Sequence, residues 1–400
     1  NFKPHYLSEP VPQEKSLQFA ASVIAKAISI KENIRADAIG ALCKKVEAAV
    51  VRFGVKPEYI NQRRLYFYDA LEKIIDSDRR GEEMLPQDVF ENLFSSKADV
   101  GGKTLAERMG VFDEVIFKAF TDMYINEDNP PKDIIHVSCS GYVSPSPAQR
   151  LVSVKAWYDT TVTNSYHMGC YGAVPAMRMA VGFMSSSEFM RQVPKKRIDI
   201  VHTELLSLHT AISDDSAGSI VTHTLFGDGL IRYSLKQESE MEPGEYGLKV
   251  LTLDEVILPK SSEYMSWKLK DHQFKMTLDR AVPVCIKNNV ESLVRKLHGN
   301  INIAYDDKVK DDSIFSIHPG GPKIINNIAK KLKLSQEQIS HSNDVLYENG
   351  NISSTTIPTI LKGILDDESI PSGKRIVALA FGPGLTAAGA TDNRRTPRPI

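Results

Sequence analysis

Long apolar runs are missing from this chain of 400 residues. No stretch reaches the roughly 20 apolar residues that cross a bilayer, so no membrane span is expected. Charge of one sign is missing too: 49 Lys and Arg stand against 50 Asp and Glu, a net charge of −1. Without a basic excess, neither nucleic acid nor an anionic membrane is expected as a bulk partner. Cysteine is scarce. Cys43, Cys139, Cys170 and Cys285 are widely spaced and form no CxxC pair. That disfavours a zinc site and a disulfide scaffold, and suits a reducing cytoplasm. The opening residues Asn1-Phe2-Lys3-Pro4-His5 hold no signal-peptide apolar core, so a cytoplasmic location is expected. There is no short-period repeat and no low-complexity tract.

What is present is an ordinary globular composition, 42% hydrophobic and 25% charged. The length exceeds the usual limit of a single core, so two domains or one fold of two similar halves are expected. An extended arm with three prolines covers 1–13. Apolar residues at helical spacing, such as Leu17, Ala20, Ala21, Ile24 and Ile28, predict a helix over 13–30. Further helices are predicted over 36–53, 66–75 and 104–124.

From residue 133 the pattern changes. Buried strands are predicted at 133–140, 160–168, 197–204, 313–318 and 375–381. Helices are predicted between and around them at 148–156, 173–185, 219–226, 281–297, 323–333 and 353–365. This alternation argues for a layered α/β fold. Residues 230–270 read as strands and turns, and the tail from Asn393 as mobile.

Three polar residues fall at ends of predicted strands, each before a helix: Cys170, His318 and Asn351. Reactive groups in layered α/β folds gather at such ends, where helix N-termini point inward. A cysteine there is expected to have a lowered pKa. A Cys with a His from a distant segment is the usual footprint of a thiol nucleophile. Taken singly, each residue is weaker: most free cysteines are buried hydrophobes, and an Asn at a turn usually serves backbone geometry.

The surrounding segments are specific. They are Ser316-Ile317-His318-Pro319-Gly320-Gly321-Pro322-Lys323-Ile324, Gly350-Asn351-Ile352-Ser353-Ser354 and Phe381-Gly382-Pro383-Gly384-Leu385-Thr386. With Cys170 ahead of them, they resemble the type III polyketide synthases, the chalcone and stilbene synthase group of the thiolase superfamily. The resemblance runs from about Asp133 to Ala390. It implies a five-layered αβαβα thiolase fold, with the N-terminal half (1–230) carrying the cysteine and the C-terminal half (231–400) carrying His and Asn. It also implies a homodimer, acyl-CoA and malonyl-CoA as substrates, and no metal or other cofactor.

The resemblance implies roles as well. Cys170 would accept the acyl group, with His318 holding its thiolate as an ion pair. His318 and Asn351 would stabilise the enolate left by decarboxylation of malonyl-CoA. Phe226 matches the gatekeeper between CoA tunnel and cavity, and Cys139, Ser144 and Ser353 match cavity positions. Glu204 reads as structural, since a buried carboxylate needs partners rather than implying catalysis.

The chain departs from the plant enzymes in its cavity. Met276 stands where they have a second gatekeeper Phe, and Trp267 where they have a glycine. Leu206 and His209 stand where they have threonines. Bulk at Trp267 and Leu206 with a flexible Met276 points to an aliphatic starter and few extensions. The expected products are an alkylpyrone, an alkylresorcinol or a β-keto acid. Arg52, Lys56 and Arg63 are CoA-phosphate candidates by charge alone, and Glu58 stands where a cation is expected. Weak phosphate contacts would suit delivery by an acyl carrier protein. The alternatives are a ketoacyl synthase III-like enzyme making a single condensation, and a non-catalytic subunit, which would be expected to have lost one of the three residues.

Overall fold

Strand Asp133–Ser138 (β4) shows why the chain layers. Ile135 and Val137 face one apolar cluster and Ile134 faces another, so both sides of the strand are buried. The computed structural model describes residues 2–66, 102–190, 194–241 and 245–395. The helix expected over 66–75 lies outside the described residues but for Tyr66.

The N-terminal arm forms two short strands, Lys3–His5 (β1) and Pro10–Pro12 (β2). Helices Gln13–Lys31 (α1) and Ala36–Phe53 (α2) follow as expected. Gln62–Arg64 (β3) returns to pair with β2. Helix Leu105–Met123 (α3) starts at Thr104, which forms a capping box with Glu107. Then come Pro147–Val154 (α4), Thr161–Tyr166 (β5), Ala173–Phe189 (α5), Arg197–Glu204 (β6), Ala217–Leu225 (α6) and Gly229–Lys236 (β7). The first sheet has the order β1-β7-β6-β4-β5.

The second half supplies Gly247–Ile257 (β8), the hairpin Met265–Leu269 (β9) and Phe274–Leu278 (β10), and helices Val282–Gly299 (α7) and Asp307–Asp311 (α8). Ser313–Ile317 (β11), Pro322–Leu332 (α9), Gln336–Asn349 (α10), Thr356–Asp366 (α11), Arg375–Gly382 (β12) and Thr386–Arg395 (β13) complete it. The second sheet has the order β11-β12-β13-β8.

Five layers result. Helices α5 and α11 lie between the sheets: their Ala176, Met177, Ile360 and Ile364 share one core with Ile200 of the first sheet and Ala378 and Ala390 of the second. Met109, Phe112 and Ile116 of α3, with Leu151 of α4, cover the outer side of the first sheet. Val290, Leu293, Ile325 and Ile328 of α7 and α9 cover the outer side of the second. Small residues on β13 let the central helices approach closely.

Four expectations change. Strand β7 pairs along its length with β6, so a boundary at 230/231 would cut a strand, and the chain passes to the second sheet only at β8. The segment from Asn393 is not a loose tail as far as Arg395, because β13 holds it between β12 and β8. Asn351 follows helix α10 rather than a strand. Strand β5 ends at Tyr166, and Cys170 sits four residues later in a 3-10 turn, Gly169–Tyr171.

Candidate active site

The turn that carries Cys170 is shaped from both halves. Gly169 has φ +71°, and a Cβ there would lie 2.7 Å from Pro383 Cδ. The Pro383 of the Gly382-Pro383-Gly384 turn is therefore packed onto the Cys170 turn, and Gly169 is required twice over. Cys170 is buried, and the side chains of Ser353 and Asn351 act to lower the pKa of its thiol. Asn351 is fixed by its neighbours. Its backbone N–H donates to the Leu225 carbonyl (2.9 Å), and its carbonyl accepts from Gly227 N–H (3.0 Å). Ser353 N–H donates to Asn351 Oδ1 (2.9 Å). With Oδ1 so occupied, the amide nitrogen is the end left for Cys170. Ser353 reaches this position at φ +52°, a left-handed conformation that costs a serine of the order of 1–3 kcal/mol.

His318 follows β11, and its backbone N–H donates to Leu379 on β12 (2.8 Å). Its ring is buried, and neither ring nitrogen has a hydrogen-bond partner. The expected pairing of His318 with Cys170 is not made by a hydrogen bond in this structure. Burial pushes the Cys170 thiol up to about 12, against the lowering by the Ser353 and Asn351 hydrogen bonds. Burial pushes the His318 imidazole down to about 3. Desolvation outweighs the helix N-terminus that follows the cysteine. Both shifts favour the uncharged form of their group.

Behind Cys170 lies a second buried thiol, Cys139, at the end of β4. Its Sγ is 3.1 Å from Ser353 Oγ and 3.3 Å from Glu204 Oε2. Glu204 is fully buried and accepts from Cys139 N–H (3.0 Å), Ser140 Oγ (3.1 Å) and Ser354 Oγ. Cys139 and Ser353 therefore stand beside the candidate nucleophile. Ser144 does not: it is exposed in the loop before α4 and lines no part of the cavity described next.

A cavity of about 290 Å³ opens between α1, α6 and the β9–β10 hairpin. Phe19, Ala20, Val23 and Ile24 of α1 form one wall, and Leu206, Trp267 and Met276 form another. Phe226 stands on its lining, and its backbone bridges to Asn351. Trp267 and Met276 are opposite each other in the hairpin. Trp267 Nε1 donates to the Cys139 carbonyl (2.6 Å), tying the hairpin to the cysteine segment. His209 is clamped. Phe274 N–H donates to its Nδ1 (3.1 Å), so the proton is on Nε2, which donates to the Ser140 carbonyl (2.7 Å). Its ring stacks on Phe274 at 4.5 Å. Burial holds it neutral, down to about 3.

The three cations expected at the CoA mouth separate. Arg52 and Lys56 are exposed. Arg63 is only 1% exposed, and its guanidinium donates to Gln13 Oε1 (2.8 Å) and to the carbonyls of His223 (2.9 Å) and Phe226. It is a buried strut behind Phe226 rather than a free phosphate ligand. Charge alone gave no sign of this. Asp228, which accepts from Tyr66 N–H and Ser207 in the same turn, was missed for the same reason.

Two α/β halves, with a central helical pair between two sheets and the candidate nucleophile at their junction, define a thiolase-fold protein. Residues 250–391 match the family model for the C-terminal domain of chalcone and stilbene synthases. Phloroglucinol synthase of Pseudomonas fluorescens is 29% identical over 64% of this chain and 69% of its own. Type III polyketide synthase B of Arabidopsis thaliana is 27% identical over 72% and 76%. Among solved structures, PKS-I of the brown alga Ectocarpus siliculosus aligns with 98% of this chain and 97% of its own at a TM-score of 0.77 and 20% identity. The Streptomyces coelicolor 1,3,6,8-tetrahydroxynaphthalene synthase aligns at 0.71, over 99% and 98%, with 19% identity. The chain is thus similar to type III polyketide synthases, which are acyltransferases by reaction class.

Proposed function

We propose that Cys170 accepts an aliphatic acyl group from acyl-CoA and that the enzyme extends it with malonyl-CoA. The observation that carries this reading is the Asn351 side chain, oriented by Ser353 N–H on its Oδ1 and acting to lower the pKa of the Cys170 thiol. A donor fixed beside a nucleophile is what an enolate or oxyanion needs. Loading forms a thioester at Sγ and expels CoA. Malonyl-CoA then loses carbon dioxide, and its carbonyl oxygen takes the charge. Asn351 and His318 donate to that oxygen. A neutral imidazole still has one N–H to give, so its low pKa suits this role better than ion pairing. The enolate carbon attacks the Cys170 thioester and the chain gains two carbons. No metal or further cofactor enters these steps.

The apolar walls of Phe19, Val23, Ile24, Leu206 and Trp267 support an aliphatic starter, with Phe226 as the gate and Met276 opposite Trp267 in the hairpin. The products are an alkylpyrone, an alkylresorcinol or a β-keto acid. The enzyme acts as a cytoplasmic homodimer. Its seam is the edge strand β5, which pairs only with β4 among the described residues, since unpaired edges favour strand addition. Acyl-CoA is the donor, with Arg52 and Lys56 near the phosphates, and a carrier protein is the alternative donor. The relatives do not favour the single-condensation ketoacyl synthase.

The test combines a panel of acyl-CoAs with labelled malonyl-CoA and mass spectrometry of the products. Cys170→Ala abolishes acyl loading; label retained on that variant overturns the nucleophile. His318→Gln and Asn351→Ala each lower malonyl decarboxylation by about a hundredfold or more. Efficient chalcone formation from coumaroyl-CoA, with fatty acyl-CoA ignored, overturns the aliphatic starter.

A further inference from the structure

The two central helices border a second cavity at the end away from Cys170. Helix α5 starts just after the candidate nucleophile, and its Met177, Val181 and Met184 recur at i, i+4 and i+7, on one helical face. At about 1.5 Å per residue, Met184 lies roughly 20 Å along the chain's course from Cys170. Leu361 and Leu365 of α11 face the same space, and a cavity of about 820 Å³ opens there. It reaches β7 and the start of β8, at the other side of the first sheet from β5. Its size is that of a small-molecule site, and none of its lining is shared with the cavity beside Phe226.

Most of the charge on its wall is matched. Arg197 pairs with Glu127 (3.2 Å) and Asp199 (2.9 Å), and Arg232 with Glu127 (3.3 Å). Lys236 pairs with Glu245 (3.0 Å) and Lys249 with Glu238 (3.1 Å). Lys3, the remaining cation of the lining, is exposed on β1. Asp392 of β13 is different. It stands on the lining, is only 1% exposed, and its Oδ2 has no hydrogen-bond partner among the described residues. A buried carboxylate without a partner is costly, and a cation beside it relieves the cost. Two aromatic rings stand near the acid. Phe2 and Tyr233 both line the cavity and stack at 5.1 Å. Burial, and then the charge of Asp392, raise the Tyr233 phenol, so these two side chains are neighbours. The Tyr233 hydroxyl lies 3.2 Å from His202 Nε2, which leaves the ring as the part it offers to the cavity. Aromatic faces attract cations.

We infer that this cavity binds an alkylamine, with its apolar chain along Met177, Val181, Met184, Leu361 and Leu365 and its ammonium group on Asp392 beside Tyr233. The ammonium N–H donates to Asp392 Oδ2 and supplies the partner that the fold leaves out. A charge-assisted hydrogen bond of this kind is stronger than a neutral one. An alcohol of the same length also donates, but it brings no charge to the acid or to the rings. A fatty acid of the same length brings a like charge to Asp392. The amine is bound unchanged. The site is independent of Cys170 being the acyl acceptor.

The test is isothermal titration calorimetry of the full chain with octylamine, 1-octanol and octanoate. It is run at pH 8, above the value of about 7 to which burial pushes Asp392, so that the acid is ionised. Octylamine binds at one site per chain, at least about tenfold more tightly than octanol or octanoate. Asp392→Asn brings octylamine down to the level of octanol. Met184→Trp fills the cavity and abolishes octylamine binding, whereas Met276→Trp, in the cavity beside Phe226, leaves it in place. Should Asp392→Asn fail to fold, the two tryptophan variants and the three ligands decide. Equal affinity of the wild type for octylamine and octanol overturns the proposal. So does octylamine binding that survives Met184→Trp or is unchanged in Asp392→Asn, and so does the absence of any octylamine binding.

Discussion

Arg63 holds the gate region by three hydrogen bonds from one buried fork. Replacing it with Ala leaves the Phe226 and His223 carbonyls and Gln13 without their donor, so Arg63→Ala costs about 3 kcal/mol or more. Arg63→Lys does not restore it, because an ammonium lacks the planar fork. Lys56→Ala changes stability by less than about 0.5 kcal/mol. Urea unfolding of the three variants checks the contrast. Asp392 gives a second case. It is buried in β13 with Oδ2 unpartnered, and burial pushes its carboxyl up to about 7. The folded protein then keeps a proton that the unfolded chain loses near pH 4. Stability from this group is present at low pH and lost as pH rises through 7, about 1.4 kcal/mol per pH unit. Asp392→Asn removes that slope, so its gap to wild type widens by about 2 kcal/mol between pH 5.5 and 7.5 in denaturant titrations. Neither residue's state was legible in the sequence. A charge in a string of letters carries no burial, and Arg63 and Lys56 look alike until β3 turns one inward. The turns that carry Cys170, His318 and Asn351 were legible because each lies in a motif of glycines and prolines.

Among the elements, the buried strands β4, β6, β11 and β12 were legible, because continuous apolar runs stopped by glycine or a helix start have few other readings. Strand β13 was not. Its Thr386-Ala387-Ala388-Gly389-Ala390 run has little strand propensity, and it is a strand because β12 and β8 flank it. Helix α10 is polar over much of its length, yet Ser335 with Gln338 is a capping box that marks its start. The β9–β10 hairpin was half legible, and it matters most to the cavity because it carries Trp267 and Met276. Two anchors hold it: Trp267 Nε1 on the Cys139 carbonyl and His209 against Phe274. Trp267→Phe loses one hydrogen bond and keeps a ring, a cost of about 1 kcal/mol. His209→Ala strands both the Phe274 N–H and the Ser140 carbonyl, a cost of about 2–4 kcal/mol. Thermal unfolding measures the order of the two. A cost for His209→Ala no greater than that for Trp267→Phe contradicts the clamp.

At the scale of the whole molecule, joining two sheets through a shared helical layer buries much that titrates. His136, His202, His209 and His318 are driven down to about 3 by burial, and His223 to about 4. Each stays neutral in the fold while the unfolded chain takes a proton near pH 6.5. As pH falls below 6.5, the unfolded state therefore binds up to five more protons from these residues, and the fold loses stability. Buried acids oppose this. Asp392 is pushed up to about 7, Asp228 to about 6, and Glu204 is raised by burial. Between pH 4 and 6 Asp392 and Asp228 hold protons in the fold that the unfolded chain has released. Five against two leaves about three protons in favour of unfolding, roughly 4 kcal/mol per pH unit. A protein with ordinary marginal stability, about 5–15 kcal/mol, then unfolds within a few pH units below neutrality. Circular dichroism should show cooperative acid unfolding between pH 6 and about 4. His209→Gln shifts the midpoint only if its fold survives, whereas Asp228→Asn, which removes an opposing acid, moves it upward. A protein that keeps its melting temperature from pH 7 to 4 contradicts this balance, because the neutral histidines are then not what burial makes them.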